Sequence, residues 1–176
     1  MRIMLHYNKK GSEQYYMNTA IVYYSMSGNT KYAAEKMAAG LGATLIPLIP
    51  KKAYPDSGFR KFFWGGKSAV MGEKPKLIPY EFDPSAYDLV VLGAPVWAGT
   101  FAPPLRSFIA ENKSALQGKR LAAFFCCSGG PGKVLDKFRS YLGNAQPVQE
   151  LILIDPKDKP SEDNSGKIEA FCAALR

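Results

Sequence analysis

Residues 20–31 read AIVYYSMSGNTK, so an apolar run passes into a short loop of hydroxyl side chains, and an alanine-rich pattern then continues to Leu41. This order predicts a strand, a tight loop and a helix. The first backbone N–H groups of a helix have no intrahelical partner, and the helix dipole favours an anion beside them. The loop therefore indicates a phosphate site; the alternative is an ordinary strand-to-helix turn with a capping residue.

The composition of this loop narrows the kind of phosphate. It lacks the lysine of a P-loop and the glycine spacing of a dinucleotide fingerprint. Hydroxyl and amide groups without an internal cation suit one terminal monoester phosphate. The candidate phosphate-binding residues are Ser25, Met26, Ser27, Gly28, Asn29 and Thr30.

Apolar and amphipathic patterns alternate along the rest of the chain. Continuously apolar segments predict strands at 19–24, 44–49, 87–93, 119–127 and 148–154. Helical patterns cover 29–41, 57–71, 103–112, 132–142 and 161–175. Strands without polar alternation are typical of parallel strands that are covered on both faces. The alternation therefore predicts an α/β fold with a doubly wound, five-stranded parallel sheet.

Ligands of such sheets bind beyond the carboxyl ends of the strands, where two further loops of unusual composition are expected. One is uncharged and carries Trp97, which suits stacking on a planar ligand or, alternatively, filling of space between sheet and helix. The other is glycine-rich, which suits close approach to a ligand edge or a plain turn. The candidate residues in these loops are Ala94, Pro95, Val96, Trp97, Ala98, Gly99, Thr100, Cys127, Ser128, Gly129, Gly130 and Gly132.

The first loop resembles the (S/T)-x-(S/T)-G-x-T loop with which the flavodoxin family holds the phosphate of FMN. The uncharged loop resembles that family's first isoalloxazine loop. The resemblance extends over residues 18–175, and the uninterrupted last strand is similar to that of short-chain flavodoxins. It implies FMN as the cofactor and a three-layer sandwich with strand order 2-1-3-4-5.

Two departures from the family pattern concern the flavin ring. After the stacking aromatic, the family has a glycine whose peptide flips toward the reduced flavin, whereas this chain has Ala98, and alanine resists positive φ. The third loop lacks the family's second stacking tyrosine. One flavin face is therefore expected to be open, as a reductase requires, unless Phe101 or an aromatic side chain from 59–64 covers it.

The resemblance implies an FMN-binding protein that transfers electrons or reduces a small acceptor, either as an electron carrier or as an oxidoreductase. Its partner is then a redox protein or an NAD(P)H- or quinone-type small molecule. A flavodoxin-fold binding or regulatory module without redox turnover is the alternative. No catalytic acid or base is predicted, and no metal site either, since the one histidine, His6, has no suitable cysteine or histidine spacing beside it.

The distribution of charge adds two expectations. Residues 93–105 and 126–135 contain no Asp or Glu. Because carboxylates near a flavin oppose the negative charge of its reduced form, we expect a higher second reduction potential than in acid-rich flavodoxins. Arg106, which follows the uncharged loop, is expected to face solvent; an approach to the flavin site is the alternative.

The segment 51–76 carries +5 of the net charge of +8, together with several aromatic side chains. We interpret it as a surface helix with a basic face. Docking of an acidic redox partner and binding of a nicotinamide phosphate are alternatives. Nucleic-acid binding is not expected, because no recognition motif accompanies the charge.

Length and composition predict one domain over 17–176, preceded by an N-terminal tail at 1–16. No apolar run approaches the ~20 residues of a membrane span. The three cysteines form no disulfide framework, which favours a cytoplasmic protein. The protein is expected to be a monomer or a homodimer. Two other classes with this topology are excluded: the C-x5-R motif of small tyrosine phosphatases and the acidic cluster of response regulators are both absent.

Overall fold

The computed structural model describes residues 17–54 and 66–176. The predicted tail, 1–16, lies outside the described residues, as does most of the predicted helix 57–71 with its aromatic side chains Phe59, Phe62, Phe63 and Trp64. Within the described ranges, strands and helices alternate as the apolar pattern predicts.

The elements follow one another in this order: β1 (Thr19–Tyr23), α1 (Asn29–Leu41), β2 (Thr44–Pro47), the helical residues 66–70 (α2), a short 3-10 helix (Pro84–Ala86), β3 (Leu89–Trp97), β4 (Thr100–Phe101), α3 (Pro103–Glu111), α4 (Lys113–Leu116), β5 (Arg120–Cys127), α5 (Val134–Leu142), β6 (Gln149–Ile154) and α6 (Glu162–Leu175). Predicted and observed boundaries agree within two residues at most ends. Helix α1 begins and ends at the predicted residues because Gly28 and Gly42, both at positive φ, bound it.

Five parallel strands form the sheet in the order β2-β1-β3-β5-β6, and the short β4 pairs antiparallel with the end of β3. Apart from β4, the order is the predicted one, since β5 and β6 are the fourth and fifth parallel strands along the chain. The doubly wound α/β fold is thereby confirmed.

The two faces of the sheet are buried by different helices, because successive strand residues point to opposite sides. Val90 and Leu92 belong to the core that includes residues of α3 and α5. Leu89 and Val91 belong to the core that includes residues of α1 and α6. All four are fully buried, and each such side chain stabilises the fold by about 1.5–3 kcal/mol. The result is the predicted three-layer sandwich.

One boundary is wrong in a way that matters for the site. The third strand was expected to end at Gly93, but β3 continues to Trp97. Residues 94–95 pair with β5, and Val96 and Trp97 pair with β4, so most of the predicted loop is strand and hairpin. These pairings join residues far apart in sequence or across a tight turn, and composition alone does not reveal them.

No helix in residues 17–54 or 66–176 is long and apolar enough to cross a membrane.

Candidate functional site

A cavity of about 520 Å³ opens beyond the carboxyl ends of the central strands. This is the edge at which parallel α/β sheets bind ligands, and the volume lies within the usual range of small-molecule sites. All three predicted loops contribute to it, together with α2 and the connection between β6 and α6. Its described lining residues are Met26, Ser27, Asn29, Gly66, Pro95, Val96, Trp97, Ala98, Gly99, Cys126, Cys127, Ser128, Gly129, Gly130, Asp155 and Asp158.

The loop between β1 and α1 is shaped by local hydrogen bonding. Gly28 adopts a left-handed φ of 96°, and its N–H donates to Ser25 Oγ over 3.2 Å. Thr30 is almost fully buried, and its hydroxyl has no hydrogen-bond partner among the described residues. The Cys126 thiol lies beside it and interacts with it, but a thiol is too weak a partner to satisfy a buried hydroxyl. Buried polar groups are normally satisfied, so the Thr30 hydroxyl calls for a further partner, although Thr30 is not among the residues that line the cavity.

Asn29 ties this loop to the connection between β6 and α6. Its Nδ2 donates to Asp158 Oδ2 over 2.7 Å, and more weakly to Ser27 Oγ over 3.5 Å. Its Oδ1 accepts the backbone N–H groups of Lys157 at 2.8 Å and Asp158 at 3.2 Å. The Asn29 side chain therefore holds two loops together, and its amide is largely committed within the protein.

Lys157 lies over the loop 25–30 as a result. A Cβ placed on Gly28 would be 3.1 Å from Lys157 Nζ, so the glycine leaves room for the ammonium group above the loop. The same ammonium is 3.8 Å from Asp158 Oδ1 in an exposed ion pair. A loop without an internal cation thus receives one from a distant part of the chain.

The hairpin between β3 and β4 forms the opposite wall. Ala98 and Gly99 both have positive φ, 48° and 69°, between the paired residues Trp97 and Thr100. This is the pattern of a type I′ turn, which matches the twist of the flanking strands. Ala98, expected to resist positive φ, adopts it here because the hairpin requires it.

Gly132 supports this hairpin from behind. A Cβ on Gly132 would lie 2.7 Å from Gly99 Cα, so the backbones of the two loops are in direct contact. At Gly129 and Gly130 an added Cβ would meet nothing within 4 Å, which leaves that part of the loop open toward the cavity. The three glycines of this loop therefore have different roles: Gly132 packs, whereas Gly129 and Gly130 line open space.

Trp97 is half-buried and lies between the core and the cavity. Its ring meets Tyr24 edge-on at a centroid distance of 5.7 Å and Tyr54 at 5.1 Å. It also lines the cavity. Phe101 does not cover the cavity, because it is fully buried against Phe138 at a centroid distance of 5.3 Å.

Asp155 lines the site and provides a carboxylate, a group that is absent from residues 93–105 and 126–135. Ser128 Oγ donates to Asp155 Oδ1 over 2.6 Å, and Lys159 Nζ lies 3.1 Å from Oδ2. The Ser128 hydrogen bond, aided by Lys159, holds the pKa of Asp155 below its usual range, against the opposing effect of burial. The absence of carboxylates on which we based a high second reduction potential is therefore not a property of the whole site, since Asp155 and Asp158 line it.

The two cysteines at the end of β5 also line the cavity but are not reactive thiols. Burial raises the pKa of Cys126 to about 12. Burial likewise raises the pKa of Cys127, with Asp155 adding to the effect. Since the thiolate is the nucleophile, both groups behave as small apolar side chains at neutral pH.

The structure does not place every predicted residue on the cavity. Ser25 and Gly28 shape the first loop, in which Thr30 is buried. Ala94 lies in the core, Thr100 is buried beside Arg106, and Gly132 packs against Gly99. The sequence analysis missed Asp155, Lys157 and Asp158. A signal was present: the charged run DPKDKP follows the last strand directly, at the edge where ligands of such sheets bind.

Comparison with known proteins agrees with the fold. Residues 71–150 match the flavodoxin domain family. The chain has a flavodoxin-like fold. No curated protein sequence matches it significantly. Among solved structures, a flavoprotein in complex with FMN from Lactobacillus acidophilus NCFM is 21% identical, with 88% of this chain and 98% of that chain covered and a TM-score of 0.69.

Two further flavodoxin-like structures are similar. The apo-form of the flavoprotein from Lactobacillus acidophilus NCFM is 25% identical, covers 83% of this chain and 98% of its own, and has a TM-score of 0.62. The two-electron reduced flavodoxin of Megasphaera elsdenii is 15% identical, covers 88% of this chain and 98% of its own, and has a TM-score of 0.54. Each aligns over nearly its whole length, so the match concerns a complete domain.

The described part of this flavodoxin-like chain contains no group of three or more histidine, cysteine, aspartate or glutamate side chains that could hold a metal ion.

Proposed function

We propose that this protein binds FMN in the 520 Å³ cavity and uses it to transfer electrons or to reduce a small acceptor. The observation that carries the proposal is the hydroxyl-rich loop at the start of α1, in which the buried Thr30 hydroxyl has no hydrogen-bond partner among the described residues. This loop lies beside a cavity that is lined by the indole of Trp97. FMN has the two matching ends, a terminal phosphate and a planar ring. A flavoprotein of the same fold was crystallised with FMN, which supports this choice.

The residues present fit the phosphate end. Thr30 offers a buried hydroxyl without a hydrogen-bond partner among the described residues. The first backbone N–H groups of α1 and the positive end of its dipole add donors and charge. Lys157 Nζ lies over Gly28 and supplies the cation that neutralises part of a phosphate dianion. Asn29 positions this cation without using its own amide on the ligand.

The opposite end of the cavity fits a flat ring. Trp97, Ala98 and Gly99 form one wall and Gly129 and Gly130 another. Tyr24 and Tyr54 pack edge-on against the indole and fix its orientation. An oriented indole loses little freedom when a planar ligand stacks on it, and such aromatic pairs contribute about 0.5–1.5 kcal/mol beyond their buried area.

FMN, when bound, would supply the redox chemistry, and the protein would bind, orient and tune it. Asp155 remains ionised at neutral pH, because its hydrogen bond from Ser128 and its ion pair with Lys159 hold its pKa low. It therefore acts as a fixed negative charge near the cavity and not as a proton donor. The ammonium of Lys159 offsets that charge.

Flavin titration tests the binding. Quenching of flavin fluorescence is measured for FMN and for riboflavin, which has the ring but no phosphate, with the wild type and with Thr30→Val and Lys157→Gln. We expect each variant to bind FMN about tenfold more weakly, since each removes one hydrogen bond or charge contact to an anion, and to bind riboflavin as the wild type does. Thr44→Val, an exposed threonine on the edge strand, is the matched control. Absence of binding at saturating FMN would overturn the proposal.

Anaerobic reduction tests the function. Direct oxidation of NADPH by the FMN-loaded protein, without a partner protein, would identify a small-molecule reductase. Reduction by dithionite or by a reductase protein only would identify an electron carrier. A bound flavin that neither accepts nor passes on electrons would leave the binding-module alternative.

A further inference from the structure

A second cavity, of about 470 Å³, lies on the other side of the β3–β4 hairpin and is rich in cations. It is open to solvent and is formed by the end of α2, the start of α3 and one face of α5. Its described lining residues are Ala69, Val70, Gly72, Thr100, Arg106, Lys133, Asp136, Lys137, Ser140 and Tyr141. Apart from Thr100, a candidate residue of the uncharged loop, none of its side chains was assigned a role above, and its chemistry differs from that of the flavin cavity.

Arg106 is the half-buried cation of this cavity, contrary to the expectation that it faces solvent. Its guanidinium carbon lies 4.4 Å from the ring centroid of Phe101 and 4.7 Å from that of Tyr141. Its Nη2 donates to Thr100 Oγ1 over a long 3.4 Å, and its Nε is buried without a hydrogen-bond partner among the described residues. It forms no ion pair with a carboxylate in the described part of the chain.

A half-buried guanidinium in this position is unfavourable in free energy unless an anion pairs with it. Burial lowers the pKa of Arg106, which shows that the surroundings disfavour its charge. The two aromatic faces recover part of the lost hydration by cation–π attraction. They hold the plane of the guanidinium in a fixed orientation, and a planar fork of donors is the group best suited to a phosphate or carboxylate.

Two lysines at the start of α5, one at its N-cap and one in the helix, add to the positive charge of this cavity. Lys133 and Lys137 are separated by one helical turn, so they share a face and repel each other. Neither forms an ion pair with any described carboxylate. They lie at the N-terminal end of α5, where the helix dipole also favours an anion.

The single described carboxylate of this cavity does not neutralise it. Asp136 pairs with Arg139 at 3.8 Å, and both side chains are largely exposed. Three cations and one already paired carboxylate therefore surround the space. The positive charge that remains favours an anion with more than one negative charge.

We propose that this cavity, defined by Arg106, Lys133 and Lys137, binds a phosphate group separate from that of the flavin. A phosphate presents up to four oxygens and up to two negative charges to the guanidinium fork and both ammonium groups, whereas a carboxylate offers two oxygens and one charge. The source is free phosphate or the phosphate of a nucleotide-type ligand. Thr100 lies between the two cavities, so a bound phosphate would touch the same hairpin that lines the flavin cavity.

This site is separate from the proposed FMN site, and the two are tested independently. Backbone amide NMR shifts are followed while inorganic phosphate, and in a second arm ADP, is titrated into the protein. We expect saturable shifts at Thr100, Lys133 and Lys137 in the FMN-loaded and in the flavin-free protein. Shifts at Ser27 and Gly28 in the flavin-free protein report the phosphate loop instead. Failure of FMN to bind would remove the proposed function and leave this result intact.

Two variants decide the assignment. Arg106→Met keeps an unbranched stem between Phe101 and Tyr141 but removes the charge, and Lys137→Gln changes an exposed residue that is not expected to affect folding. We expect each to weaken phosphate binding by about tenfold, as loss of one charged hydrogen bond implies. Lys113→Gln, an exposed lysine on α4, is the matched control and is expected to bind as the wild type does.

The two arms also identify the source of the phosphate. Equal affinity for inorganic phosphate and ADP would show that the phosphate alone is recognised. Tighter binding of ADP would extend the ligand to nucleotides. Absence of shifts at the three residues with both probes, or wild-type affinity in both variants, would overturn the proposal.

Discussion

The proposed phosphate loop, residues 25–30, and the β3–β4 hairpin bound the same cavity but are held in place in opposite ways. The phosphate loop depends on one side chain, because Asn29 hydrogen-bonds to residues 157 and 158. The hairpin depends on the lack of side chains, because Gly99 and Gly132 bring two backbones into contact. One wall is therefore sensitive to the loss of polar atoms and the other to the addition of a single methyl group.

Gly132→Ala tests the hairpin and has the largest expected effect. The new Cβ would meet Gly99 Cα at 2.7 Å, and Gly132 has a φ of 54° that alanine disfavours. We expect the free energy of unfolding, measured by urea denaturation, to fall by about 2–4 kcal/mol. Gly130→Ala is the control, because an added Cβ there meets nothing within 4 Å. Equal stability of the two variants would show that the backbone contact does not hold the hairpin.

Asn29→Ala tests the phosphate loop. It removes the hydrogen bonds to Asp158 Oδ2 and to two backbone N–H groups, and leaves those N–H groups partly buried. We expect a loss of about 1–3 kcal/mol in the free energy of unfolding, together with weaker binding of FMN than of riboflavin. The exposed Asn144→Ala serves as the control. Unchanged FMN affinity in Asn29→Ala would mean that the loop holds its shape without this side chain.

Asp155, which lines the cavity, makes the stability of the protein depend on pH. The pKa of Asp155 is lowered in the folded protein, mainly by the Ser128 hydrogen bond, so its ionised form stabilises the fold. This contribution is present above the unfolded pKa of about 4 and is lost as the pH falls through the folded value. We expect stability to decline below about pH 4 more steeply in the wild type than in Asp155→Asn. Asp136→Asn, which alters an exposed carboxylate, should follow the wild-type curve.

Ala98→Gly has the smallest expected effect and the opposite sign. Ala98 has a φ of 48°, which costs alanine about 1–2 kcal/mol, while glycine adopts it freely but loses more chain entropy on folding. We expect a net gain of about 0.5 kcal/mol in the free energy of unfolding. Ala39→Gly in the exposed face of α1 should instead lose about 1 kcal/mol. A loss in both variants would show that the hairpin does not strain Ala98.

The order of strands and helices was predictable because continuous apolar runs and glycine-bounded helices are local signals. Residues 29–41 show this best, since Gly28 and Gly42 mark both ends of α1. The extension of β3 to Trp97 was not predictable, since it depends on pairing with β5 and β4. A sequence rich in small residues and proline carries no local sign of that pairing.

The candidate site likewise contains features that the local sequence predicts and features that depend on distant parts of the chain. Three loops were predicted to meet because the carboxyl ends of parallel strands share one edge, and residues of all three line one cavity. Asp155, Lys157 and Asp158 were missed because they lie outside the three loops that resemble those of flavodoxins, in a charged run that is equally typical of a solvent-exposed turn. Arg106 was misjudged because the two aromatic side chains that enclose it, Phe101 and Tyr141, come from different elements.

The Asn29 contact also has a consequence for the order of events during synthesis. Its partner Asp158 lies 129 residues further along the chain, in the connection to the last helix. A chain still growing on the ribosome can form α1 and most of the sheet before that connection emerges. The phosphate loop is therefore complete only when the final part of the domain has been made, and a nascent chain that stops before residue 157 should leave the exit tunnel unable to retain FMN.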